Sequence, residues 1–453
     1  MSDTAPEGLF DGVLSRGGVR EAVDDRAWLQ AMLEVEAAIA RAEARAGVVP
    51  PAAAEAIERA CDAGAFDVAA IGAAAAQGGN PVIPLVLELT RAVGGEEAFH
   101  VHRGATSQDV LDTAAMLVAS RALEPMLADL AAASDACAEF AAAHRATLMA
   151  GRTLLQHALP TTFGLKAAGW MDALDRARAR LTEVRSSGLA VQFGGAAGTL
   201  ASLGTDGVAI VGFLADELGL ATPDIPWHTD RTRIADLAGA LGAAAGVVAK
   251  VGGDVVLLAQ TEVGEVREGL PGRGGSSTMP QKRNPIAAVS AVACGRQAPG
   301  LVSTLLSSMQ QEHERAAGAW HAEWRPLSNL LRSTGSAAAW LRDCLDHLEV
   351  DAARMRVNLD LTDGLLLAER VSGALAETLG RIAAHETVEA AAGRAVSEGR
   401  PFAEVLASTP EVSEHLDAAK IGVLLDPAGY LGSADAFVGR ALERHASIGG
   451  GSP

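Results

Sequence analysis

Eight apolar residues, Ile234, Leu237, Leu241, Ala244, Val248, Val251, Val255 and Leu258, follow one another at alternating steps of three and four. That spacing puts all eight on one stripe of an α-helix, the stripe of a helix that packs along other long helices. Lys250 and Asp254 fall off it. Two further stretches, Val110 to Ala143 and Pro285 to Leu348, carry the same short apolar repeats. A sheet would need alternation by two, and no regular series of alternating Val, Ile and Thr runs is present. The pattern predicts an all-α chain with three long helices in an elongated bundle.

The chain has 453 residues, 49% hydrophobic and 21% charged, enough for a sizeable buried core. The long-helix pattern starts near 107 and gives way to shorter segments near 350. Three domains are therefore expected: 1–107 helical, 108–350 the long-helix bundle, 351–453 helical. The "GGGSP" tail is expected to be disordered. A net charge of −19 argues against non-specific binding to nucleic acid or anionic membranes, since phosphate repels such a surface. The acidic start "MSDTAPEGLFDG" lacks a basic, apolar signal pattern, and no long apolar run escapes interruption by polar groups, so a cytoplasmic protein without a membrane span is expected. Cys61, Cys137, Cys294 and Cys344 form no CxxC pair and read as small buried hydrophobes.

Against this helical background, "GRGGSSTMPQKRNP" (272–285) stands out. Its glycines let backbone approach a ligand and offer N–H donors to an anion. Ser276 and Ser277 add hydroxyls, Lys282 a point charge, Arg283 a planar fork and Asn284 an amide. Pro285 then opens a helix whose N-terminus adds positive potential. Such a loop reads as a lid that stabilises negative charge. In "HVHRGATSQDVLDT" (100–113), His102 and Arg103 precede a turn, Thr106 and Ser107 are N-cap candidates, and Asp109 lies early in the next helix. In "GRTLLQHALPTTFGLK" (151–166), Gln156 and His157 sit before the helix-breaking Pro160. Nucleotide and hydrolase signatures (GK[ST], GxGxxG, GxSxG) are missing. His313 and His321 lie two helical turns apart, about 12 Å, too far to share a metal.

Together these three stretches resemble the signature regions of the fumarase/aspartase superfamily. The lid matches the G-S-S-x-M-P-x-K-x-N pattern from Gly275 to Asn284, and the resemblance extends through "VQFGGAAGTLASLG" (191–204), "PWHTDRTR" (226–233), "TEVGEV" (261–266), "QEHERAAGAWHAEW" (311–324) and "NLDLTDGLLLAERV" (358–371). In that combination it is most similar to the branch of bacterial 3-carboxy-cis,cis-muconate cycloisomerases. The resemblance implies a three-domain, mainly helical fold with a central long-helix bundle. It also implies a homotetramer with active sites shared between subunits, a small polycarboxylate substrate, and no metal or organic cofactor. It implies that Ser276 transfers the proton beside a substrate carboxylate while Lys282 and Asn284 hold that carboxylate. Thr106, Ser107 and Gln156 match substrate-binding positions, His102 and Arg231 match anion contacts, and Arg103, His157, Ser277 and Met279 are expected to line the pocket.

Three departures bear on the chemistry. Leu154 stands where many lyases of the superfamily carry a proposed acid/base histidine, and His157, three residues on, could deputise. Gln281 replaces a common histidine, and Arg103 a frequent tryptophan. Loss of the histidine suits a lactonisation whose nucleophile is the substrate's own carboxylate. The rival expectation is a lyase that expels a small group such as nitrite from a substituted succinate. An adenylosuccinate-type substrate is disfavoured by Trp324, which lies near the place where a phosphate-holding arginine is expected.

Overall fold

The structure, a computed structural model, describes residues 8–449, so the expected disordered "GGGSP" tail lies outside it apart from its first residue, Gly449, which closes a helix, and the first residues of the acidic N-terminal stretch lie outside it as well. Helices dominate the described residues. They include α1 (Asp25–Arg45), α2 (Pro51–Ala60), α3 (Ser107–Ala143), α4 (Phe163–Glu183), α5 (Thr232–Leu258), α6 (Ile286–Gly295), α7 (Ala298–Ser307), α8 (Ala319–Asp346), α9 (Ala352–Leu359), α10 (Ala368–Leu379), α11 (Arg381–Glu398) and α12 (Ala434–Gly449). Two antiparallel pairs complete the main elements: β1 (Leu148–Thr153) with β2 (Gln156–Thr162), and β3 (Val266–Glu268) with β4 (Leu348–Val350).

The predicted seam is α5, and all eight of its stripe residues are buried. By length and composition α5 is also apolar enough to cross a membrane, although its stripe is packed against protein. The second predicted helix is α3. The third is broken into α6, α7 and α8, because an apolar period can persist across a break in the backbone. Pro299 sits in the first turn of α7, and His313 and Gly318 take positive φ (49° and 116°) ahead of α8.

The β1–β2 hairpin was not legible. Its two-residue turn places Leu154 and Leu155 at φ 50° and 65°, a left-handed geometry normally filled by Asn-Gly. Two leucines there remove the usual hairpin signal.

Contacts divide the chain into two compact units. One comprises residues up to 132, 176–252 and 287–343; the other comprises 133–175, 253–286 and 344 onward. In the first, α5 and α6 meet through small residues: a Cβ on Gly295 would lie 2.8 Å from the Ala245 carbonyl oxygen. In the second, Val371, Leu375, Val388, Phe402, Val405 and Leu406 form a buried cluster, and β3 of the second strand pair precedes the lid by three residues.

Candidate active site

In the first unit, α3 begins with half of a capping box. The Thr106 N–H donates to Asp109 Oδ2 (3.0 Å), satisfying one donor the helix start would leave open. Asp109 is fully buried and also accepts from Gly194 N (3.0 Å), Gly195 N (2.9 Å) and the His228 ring (2.7 Å). One carboxylate thus ties the "HRGATS" turn to the Gly-rich 194–198 loop and to the Pro226–His228 connection. The Thr106 hydroxyl is left for a different partner: Arg315 donates to it (2.8 Å) and to the carbonyl of Ala196 (2.9 Å). Arg315 lies within "QEHERAAGAWHAEW" without standing out there, because nothing in local spacing reports a contact 209 positions away. Ser107, His102 and Arg103 are half-buried beside this turn.

His102 sits at φ 58°, and its Nδ1 is 2.6 Å from Glu36 Oε1 on α1. Burial works against the charged ring, but the Glu36 carboxylate outweighs it and holds the ring's pKa above the ordinary histidine value. One helical turn-pair along α1, Glu43 is fully buried with neither oxygen hydrogen-bonded, and burial pushes its carboxyl up to about 8.

The expected anion contact at Arg231 is corrected by the structure. Every guanidinium nitrogen is engaged, donating to Asp112 (2.7 and 3.1 Å) and to Glu323 (2.6 to 3.2 Å), and the side chain is buried. Trp320 Nε1 and Gln311 complete the network. Arg231 is therefore a scaffold cation, since it has no open face for a ligand. A basic residue at the mouth of a helix reads the same in sequence whether it meets solvent or two buried carboxylates. Glu323, which shared the sequence's polar stretch with His321, is one of those carboxylates.

In the second unit, the 272–285 loop is an exposed lobe with a pinched neck. Asn284 donates to the Gly274 carbonyl with both its backbone N–H (2.9 Å) and its side-chain amide (3.0 Å). Gly274 has φ 75°, and a Cβ there would fall 2.2 Å from the Asn284 carbonyl oxygen, so only glycine closes the neck. The Asn284 amide is thus a clasp, which leaves its Oδ1 and its second N–H for a ligand. Inside the lobe, Ser276 Oγ accepts from the N–H groups of Met279 (3.2 Å) and Thr278 (3.4 Å). Lys282 is exposed and pairs with no described residue; Ser277 and Met279 are exposed as well. Pro285 lies one position before α6 rather than inside it.

The hairpin carries the second region. Gln156 is exposed next to the Leu154–Leu155 tip, where Leu154 is 97% exposed. His157 is paired with Arg152 across the strands and half-buried, with Nδ1 unpartnered. Burial and then the Arg152 charge lower its pKa, which suits a neutral ring better than a proton donor. Arg152 is held bidentate by the buried Glu265 (2.6 and 3.0 Å), and Asn358 donates to the same carboxylate (2.8 Å). Glu265 was not singled out from sequence, though it stands in the quoted "TEVGEV". Among the described residues, no group of three or more His, Cys, Asp or Glu side chains could hold a metal ion.

A family described as lyase matches residues 16–300, and one described as adenylosuccinate lyase C-terminus matches 364–441. The chain belongs to the fumarase/aspartase superfamily. Its superfamily relatives are similar over nearly their full length. A "3-carboxy-cis,cis-muconate cycloisomerase" of Bradyrhizobium diazoefficiens is 50% identical, covering 97% of this chain and 98% of that protein. A "nitrosuccinate lyase" of Streptomyces davaonensis is 46% identical over 98% and 96%. The crystal structure of 3-carboxy-cis,cis-muconate lactonizing enzyme from Pseudomonas putida matches with a TM-score of 0.90 at 46% identity, covering 97% of this chain and 99% of that one. In this superfamily member, then, the first region's turn, the hairpin and the lid are each built, and each leaves polar groups accessible.

Proposed function

We propose that the protein is a cycloisomerase that converts 3-carboxy-cis,cis-muconate to 4-carboxymuconolactone. The observation that carries this reading is the lid's Ser276, whose oxygen faces two backbone N–H donors in the same loop that carries the exposed Lys282. In the lactonising direction one substrate carboxylate oxygen forms a C–O bond to an alkene carbon. The alkene electron pair moves onto the carbon next to a second carboxylate, giving a doubly charged aci-carboxylate. Ser276 Oγ–H then delivers its proton to that carbon. The resulting alkoxide is stabilised by the Met279 and Thr278 N–H groups and by Lys282 before solvent reprotonates it. Prearranged donors at the place where charge develops supply the largest catalytic term. Leu154 in place of the usual histidine fits this reaction, because an intramolecular carboxylate needs no general base and no leaving group departs.

The same reading includes a homotetramer with active sites shared between subunits, a cytoplasmic location, and three domains divided near 107 and 350. Support for the oligomer comes from α5, an apolar helix in which fewer than half of the residues along its apolar stretch are buried within the chain. A groove lined by Gly239, Gly242, Ala243, Val302 and Leu306 runs beside it, with Leu306 48% exposed. Support for the division comes from the capped start of α3 at Ser107 and from Asp351, whose carboxylate caps α9 (2.8 Å to Arg354 N).

A second reading, a lyase releasing a small group from a substituted succinate, is favoured by the full-length similarity to the Streptomyces enzyme. Incubation with 3-carboxy-cis,cis-muconate and with nitrosuccinate separates the two. Loss of muconate absorbance with lactone formed is expected; fumarate released from nitrosuccinate with the muconate untouched would overturn the cycloisomerase.

A further inference from the structure

The Glu36–His102 pair is built at a cost that the scaffold alone does not explain. Glu36 is 1% exposed, and its second oxygen, Oε2, has no hydrogen-bond partner. A buried carboxylate with one contact is expensive compared with an apolar side chain of similar size. His102 holds φ 58°, a conformation costing on the order of 1 kcal/mol for a non-glycine residue and persisting where the surroundings over-determine it. The turn that follows is equally fixed. Gly104 has φ 70° and a Cβ there would meet Leu203 at 2.8 Å, while Asp109 and Arg315 pin Thr106 two residues on.

A carboxylate oxygen only accepts, so Nδ1 of His102 carries the hydrogen in its 2.6 Å contact with Glu36. Nε2 is then the ring's remaining polar atom. No described residue bonds it, and the ring, 19% exposed, is open to solvent. We propose that Glu36 is a positioning residue that acts through His102: it fixes Nδ1–H and supplies the counter-charge for an Nε2–H that donates to a carboxylate of the substrate. This rests on the reading of the protein as a polycarboxylate enzyme. The charged groups around the ring divide the work. From α1, Glu36 favours the imidazolium, Asp109 of α3 adds to it, and Glu43 adds last and only in its ionised form. Arg103 lies close enough to Glu43 to lower its pKa. Cys61, just past α2, is pushed up to about 12 by burial, so it stays a neutral thiol beside Glu36. With Glu43 mostly protonated at neutral pH, Glu36 is the ring's chief counter-charge.

The test compares wild type with Glu36→Gln, which keeps the shape and removes the charge. The His102 ring is titrated by nitrogen-15 NMR, its signal assigned by its loss in His102→Asn. In wild type the ring is expected to titrate above ordinary histidine, and in Glu36→Gln at least one unit lower, a tenfold loss of proton affinity. With 3-carboxy-cis,cis-muconate as substrate, KM should rise about tenfold with kcat within about threefold, and the alkaline fall in kcat/KM should move to lower pH by the same step. A wild-type ring that titrates at or below the ordinary value overturns the proposal without any variant. So does a Glu36→Gln enzyme whose melting temperature falls while its pH profile and KM stay where they were. If wild type does not turn over the muconate, the cycloisomerase reading fails by itself. The ring titration, together with pH-dependent binding of propane-1,2,3-tricarboxylate, then still decides the role of Glu36.

Discussion

Glu43 is the residue most at odds with its surroundings: fully buried, unbonded at both oxygens, and pushed by burial from 4.5 up to about 8. Folding therefore favours its neutral form. Below pH 4.5 both folded and unfolded chains hold the proton, and the group costs little. Between 4.5 and about 8 the folded state binds more protons than the unfolded one, so stability falls as pH rises across that window. Glu43→Gln removes this dependence. Thermal melts should show the variant close to wild type near pH 4.5 and progressively more stable toward pH 8, and parallel curves across that range would contradict the assignment. Legibility at this scale followed chemistry rather than position. The loop that holds Ser276 and Lys282 stood out because a cationic Gly/Ser stretch is out of place in a helical chain. Arg231 was misread and Arg315 missed because a guanidinium's role depends on what faces it, and Asp112, Glu323 and Thr106 face these two from distant parts of the sequence.

At the scale of elements, the lid's neck is a local device. Gly274→Ala places a methyl group where the Asn284 carbonyl oxygen stands and penalises φ 75°. The neck should open and misplace Ser276 and Lys282, lowering kcat/KM at least about tenfold. Because the lobe is exposed and contributes little to the core, the melting temperature should shift by less than about 2 °C. Undiminished activity would show that the clasp does not shape the site; a large fall in melting temperature would place the lobe in the folding core. The long helices α3 and α5 were legible because an amphipathic period repeated over many turns leaves few alternatives. The break between α7 and α8 and the Leu154–Leu155 hairpin were not. An apolar rhythm can run on past a chain break, and a turn strained by tertiary contacts lacks the residues that usually announce it.

The whole molecule presents more apolar helix surface than one chain buries. Leu257, Val289 and Leu306 are 43%, 45% and 48% exposed on α5, α6 and α7. Covering such faces with further copies removes apolar area from water, worth about 25 cal/mol per Å². Light scattering on the purified protein should give four times the 46.2 kDa chain mass; a stable 46.2 kDa species that turns over substrate would contradict shared active sites. The net charge of −19 does not conflict with an anionic substrate, since a locally cationic segment such as the exposed Lys282 and Arg283 can attract an anion to an otherwise acidic surface.

Proton transfer through Ser276 is the central claim, and turnover of 3-carboxy-cis,cis-muconate by Ser276→Ala tests it most directly. A folded variant whose kcat falls by about 10²–10⁴, with its oligomeric mass and melting temperature kept, is the predicted result. A variant that retains turnover within about tenfold of wild type would contradict it.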